Sequence, residues 1–110
     1  MGHDISGYNK SGEEICYIRF GKLNSTATVF YNLFDARDFH AGVSGTGASE
    51  TYTLAHVEKT LANYKEFYGN DFVELKDDDF LIRERKEILK FINNCLEIAK
   101  KEGSVKVFFG

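Results

Sequence analysis

The chain has 110 residues, enough for one domain (1–110) around one core, and 43% of them are apolar. Its formal net charge of −3 argues against a nucleic-acid partner, whose surface would ask for a basic stripe. No apolar run reaches the length of a membrane span and no apolar stretch near Met1 marks a signal peptide, so the expected location is the cytoplasm.

The first element expected is a hairpin. His3 to Tyr8 reads as a short strand, Asn9-Lys10-Ser11-Gly12 carries turn residues, and Glu13 to Phe20 returns. In the return strand Cys16, Ile18 and Phe20 point one way, and Ile15, Tyr17 and Arg19 the other. Apolar groups on both faces place this strand in the interior of a sheet. Gly21 to Asn24 forms a turn. Ser25 to Phe34 reads two ways. As a helix it puts Ala27, Phe30, Tyr31 and Phe34 on one face behind an Asn24 or Ser25 cap. As a strand it alternates Val29, Tyr31 and Leu33. The helix is the reading adopted. Asp38 to Ser44 is taken as a second strand that leads into a Gly-rich loop.

Thr51 or Thr53 caps a helix that runs to about Tyr68, with Leu54, Val57, Leu61, Tyr64 and Tyr68 at helical spacing. Gly69-Asn70 ends it. Asp77-Asp78-Asp79 caps the last helix and complements its dipole. Leu81, Ile88, Ile92, Cys95, Leu96 and Ala99 form its apolar stripe, which Leu89, Phe91 and Ile98 widen. A stripe that wide predicts contact with more than one element. Lys100, Lys101 and Gly103 close the helix. Ser104 to Phe109 is an alternating strand, apolar enough that it must pair inside a sheet or across a dimer interface. The fold class is α+β: a small, largely antiparallel sheet built from the N-terminal hairpin and the C-terminal strand, with two or three helices packed on one face.

Four groups of residues bear on function. Gly42 to Ser49 reads G-V-S-G-T-G-A-S. It has the spacing of a phosphate-binding loop, but Ala48 stands where that loop needs Lys. It also fails as a hydrolase nucleophile elbow, because Thr46 replaces the final Gly after Ser44. What survives is an anion nest, with Ser44, Gly45, Thr46, Gly47 and Ser49 supplying amides and hydroxyls. The plainer alternative is a connector between strand and helix.

The second group is His3, His40 and His56 with Asp38, which would bind a divalent metal or do acid–base work if the fold gathers them. Asp35 stands nearby. No pair has a recognised ligand spacing, and the sequence requires no metal. Third, Met1-Gly2-His3-Asp4-Ile5-Ser6 fits a loose myristoylation pattern, and with Met1 retained the segment offers a copper or nickel ligand set. Fourth, Phe30, Tyr31, Phe34, Phe39, Tyr52, Tyr64, Phe67, Tyr68 and Phe72 are core residues or the wall of a groove. Cys16 and Cys95 fall in buried elements and are expected to be free thiols.

The composition, rich in Lys, Asn, Phe, Tyr and Ile, resembles that coded by an AT-rich genome such as a low-GC bacterium, a phage or a large DNA virus. With no complete catalytic set, the leading expectation is a non-enzymatic protein that works by protein–protein interaction or self-association, as in a homodimer. The alternative is a metal or small-anion site between the loop and the histidines.

Overall fold

The computed structural model describes residues 3–21, 26–42, 44–68 and 79–110. Strand β1 (His3–Tyr8) and strand β2 (Glu14–Phe20) form the expected hairpin. Asn9 makes its turn. The Asn9 side-chain oxygen accepts from the Glu13 amide at 2.9 Å, and the Asn9 carbonyl accepts from Gly12 at 3.0 Å. Helix α1 (Thr26–Leu33) follows, then a short 3₁₀ turn at Arg37–Phe39, strand β3 (Ala48–Thr53), helix α2 (Leu54–Tyr68), helix α3 (Asp79–Glu102) and strand β4 (Ser104–Phe109). The sheet order is β2-β1-β4-β3, antiparallel throughout, with the helices on one face.

The helical reading of residues 25–34 holds because it puts aromatic mass where the sheet needs cover. Ala27, Phe30, Tyr31 and Phe34 are all fully buried. Phe30 touches Phe20, Tyr31, Phe34 and Phe91, joining α1 to β2 and α3. Each ring so buried contributes about 1.5–3 kcal/mol. The helix ends in a Schellman turn. The Ala36 amide donates to the Tyr31 carbonyl at 2.8 Å, and the Asp35 amide to the Asn32 carbonyl at 3.1 Å. Asp35 takes the left-handed position with φ 53°, where glycine is usual.

Helix α3 packs against α2, β2 and β4, as its wide stripe implied. Ile88, Phe91, Ile92, Cys95 and Ala99 are buried, with Leu89, Leu96 and Ile98 at the margin. Gly103 closes it at φ 88°. In α2 the buried line is Val57, Thr60 and Tyr64. Thr53 is its cap, accepting from the His56 amide at 3.2 Å. Asp77, Asp78, Gly69, Asn70, Phe72 and the turn at 22–24 lie outside the described residues. Among the described residues no helix is long and apolar enough to cross a membrane.

Two expectations are corrected, and one strand is added. Strand β2 is an edge, not an interior strand. Its second set, Ile15, Tyr17 and Arg19, faces the helix-free side, and Tyr17 is 48% exposed. Asp38 to Ser44 is not a strand: the 3₁₀ turn occupies its start, and one bridge, His40 to Gly45, follows. The missing strand lies later, at Ala48–Thr53. Its residues are exposed except Tyr52, so it carried no apolar pattern to read. It exists because β4 offers it a full antiparallel partner, from Ala48 opposite Phe109 to Thr53 opposite Ser104.

Asp35 yields a direct test. Replacing it with glycine removes the steric cost of the left-handed conformation while both Schellman bonds stay. Asp35→Gly is expected to raise stability by about 0.5–1 kcal/mol, read as a higher urea midpoint at unchanged slope.

Candidate functional site

The glycine-rich loop is built against the end of β4. The Gly45 amide donates to the Gly110 carbonyl at 2.8 Å, Gly47 to the Phe109 carbonyl at 2.7 Å, and Thr46 to the Phe39 carbonyl at 3.0 Å. Ala48 and Ser49 are already in β3. Ser44 turns its hydroxyl to the Gly45 carbonyl at 3.0 Å. The amides of the proposed anion nest are therefore engaged by carbonyls, and an anion would have to displace these bonds. Gly45 is glycine for a steric reason. A Cβ there would sit 2.5 Å from the Phe109 carbonyl oxygen and 2.6 Å from its carbon. Gly47 holds φ 82°, which turns the chain into β3.

The three histidines divide between two places. His3, 1% exposed, lies in β1. Its Nδ1 pairs with the Tyr31 hydroxyl at 3.0 Å and its Nε2 with the Gly42 carbonyl at 3.1 Å. A carbonyl only accepts, so Nε2 carries the proton and Nδ1 accepts from Tyr31. His40 stacks on His3, with ring centroids 5.2 Å apart, and stands edge-on to Tyr31 at 4.9 Å. Its Nδ1 accepts from the Gly42 amide at 3.3 Å. His56 is elsewhere. Its Nε2 donates to the Phe34 carbonyl at 2.7 Å, and its ring packs on Tyr52 at 4.4 Å. His56 thus ties the first turn of α2 to the end of α1 and satisfies a helix-terminal carbonyl. Asp38 is exposed on the 3₁₀ turn and Asp35 on the Schellman turn. Among the described residues no three His, Cys, Asp or Glu side chains gather as a metal set.

Burial holds the His3 pKa below its ordinary value of 6.5. The Gly42 bond opposes that shift, and the His40 charge adds to it. Burial likewise pushes the Tyr31 hydroxyl up to about 12. The pair is a neutral, internally bonded plug between β1, α1 and the loop.

The side of the sheet away from the helices carries Tyr17, Ser6, Phe108 and Ser49 in one row across the strands. Tyr8, Lys106 and Thr51 form the next row. A groove of about 530 Å³ runs there, lined by Tyr8, Lys10, Ser49, Thr51, Ser104, Lys106 and Phe108 with Asn9 and Gly12. Its lining residues include two lysines, two aromatics and several hydroxyl residues, and the Glu102 carboxylate lies beside it, accepting from the Lys10 amide at 2.7 Å. At the other corner Arg19 is 3.5 Å from Asp4, which also accepts from the Tyr17 hydroxyl. That hydrogen bond is the main reason the Tyr17 pKa is raised.

The sequence held a signal for this face. The alternation Ser104, Lys106, Phe108 in β4 sets three residues on the side opposite Val105, Val107 and Phe109. It became a surface only once β1 and β3 were known to flank β4. No family model, curated protein or solved structure matches this chain.

Two outcomes are expected. Gly45→Ala forces the Phe109 backbone to move and should cost about 1–3 kcal/mol, read by urea unfolding. The His3 pKa is lowered in the fold, so its contribution is fully present above about pH 6.5 and lost as pH falls toward the folded value. Thermal melts should show the midpoint falling between about pH 7 and pH 5, with a flatter profile in His3→Gln.

Proposed function

We propose that this chain is a non-enzymatic binding module whose helix-free sheet face docks an acidic segment of a partner protein. The observation that carries the reading is the groove across β1, β4 and β3, with Lys10 and Lys106 among its lining residues. In a chain of net charge −3, a local cationic groove is an arranged feature rather than a reflection of bulk charge. Tyr8 and Phe108 add aromatic surface to the same lining, and Ser49, Thr51 and Ser104 add hydroxyls. Such a surface matches a short run of Asp and Glu around an apolar side chain.

A protein partner is favoured over a nucleic acid because two lysines neutralise few phosphates, and Arg19 is already engaged by Asp4. Self-association loses its original motive, since β4 is paired on both sides within one chain. The partner reading rests on the groove instead.

The test is fluorescence anisotropy with a short fluorescein-labelled peptide of Asp and Glu around one Phe. The wild type should bind it, more weakly as salt rises. Lys106→Glu, a change at an exposed position, should weaken binding about tenfold or more without lowering the melting temperature. No binding by the wild type would overturn the reading. Tighter binding of a single-stranded oligonucleotide than of the peptide would also overturn it, and would move the partner to nucleic acid.

A further inference from the structure

Cys16 in β2 and Cys95 in α3 are free thiols separated by 79 residues in sequence, yet their sulfurs lie 3.5 Å apart. The fold makes room for this pair. Cys16 stands opposite Gly7 in the β1–β2 ladder. A Cβ on Gly7 would overlap the Cys16 sulfur and come within 3.4 Å of the Cys95 sulfur. Any larger residue at position 7 would take the space that the two sulfurs share.

Access to the two is unequal. Cys16 is 8% exposed and borders a cleft of about 180 Å³ lined in part by Tyr17, Glu87, Lys90 and Asn94. Cys95 is fully buried. Its hydrogen bond to Cys16, together with burial, pushes the Cys95 thiol pKa up, which keeps it protonated until its partner reacts.

We propose that Cys16 and Cys95 form an oxidation site that a hydroperoxide converts into a disulfide, with Cys16 reacting first and Cys95 resolving. Hydrogen peroxide is neutral and small enough for a cleft of about 180 Å³. The Cys16 thiolate attacks one peroxide oxygen. The O–O bond breaks, and the departing hydroxide takes up the proton that Cys16 released, leaving water and a Cys16 sulfenic acid. The Cys95 sulfur then attacks the Cys16 sulfur. An S–S bond forms, the S–O bond breaks, and the leaving hydroxide takes the Cys95 proton as a second water. Two thiols give up two electrons, and one peroxide is reduced to two waters. Closing to a bond length of about 2.0 Å asks for a small rotation of the side chains. The product fastens the edge strand β2 to the longest helix.

The experiment treats the folded chain with hydrogen peroxide, then unfolds it in the presence of an alkylating agent and measures mass. The expected result is loss of two hydrogens, no alkylation, and a Cys16–Cys95 cross-linked peptide. The melting temperature should rise by about 10 °C, the shift typical when a long loop is closed in a domain of this size, and should fall back with dithiothreitol. Cys95→Ser should instead accumulate a Cys16 sulfenic acid that dimedone captures, with no rise in melting temperature. Wild-type protein that gains oxygen without cross-linking, or that stays fully alkylatable, overturns the proposal. That wild-type readout decides the matter even if Cys95→Ser fails to fold.

Discussion

Strand β4 sits in the middle of the sheet, and its two edges must both be filled. Val105, Val107 and Phe109 bury one face of it against the helices, so its backbone is too deep to leave unpaired. Strand β1 fills one side. Strand β3 fills the other, although its own side chains supply little reason to become a strand. The pairing continues past Phe109. Gly110 exchanges hydrogen bonds with Asp4 on one side, and its carbonyl also accepts from Gly45 on the other. The glycine-rich loop is therefore the last rung of the β4 pairing. Its composition follows from how closely its backbone must approach Phe109.

That constraint also explains the histidines. Once the loop is held at β4, the Gly42 carbonyl lies over β1, and His3 meets it while accepting from Tyr31. His40 covers the pair as a stacked ring. A histidine with both nitrogens bonded inside the protein, and a pKa lowered by burial, is suited to hold a loop in place. His56 also bonds to the backbone, its Nε2 donating to the Phe34 carbonyl at the end of α1.

The parts of the fold that were legible in the sequence share one property: their pattern arises from burial within the element itself. Helix α3 shows its stripe, α1 shows Ala27, Phe30, Tyr31 and Phe34 on one side, and the hairpin shows its turn at Asn9-Lys10-Ser11-Gly12. The parts that were not legible depend on a distant partner. Ala48–Thr53 has no inward pattern beyond Tyr52, and only β4 makes it a strand. Ile15 and Tyr17 are apolar or aromatic on an open face, which reads as a second buried face until the sheet order is known. The proximity of Cys16 to Cys95 comes from α3 crossing β2, and neither position announces the other. Of the candidate site, the glycines marked a turn, and Gly42 and Gly47 do take positive φ. What they turn against, the end of β4, was not in the local sequence.

The two faces of the sheet thus divide the chemistry. The helix-covered side and the loop beside it take up the imidazoles and thiols, and those groups bond to the backbone, to a tyrosine or to each other. The open side keeps hydroxyls, two aromatic rings and two lysines around the groove. A hydroxyl gains nucleophilic strength from a neighbouring base, and the groove lining supplies ammonium groups instead, which favour negative charge without accepting a proton. In the docking role proposed above, the lysines would fix an acidic group, the rings cover an apolar one, and the hydroxyls set its orientation. That combination is why the proposal is built on the open face rather than on the glycines or histidines.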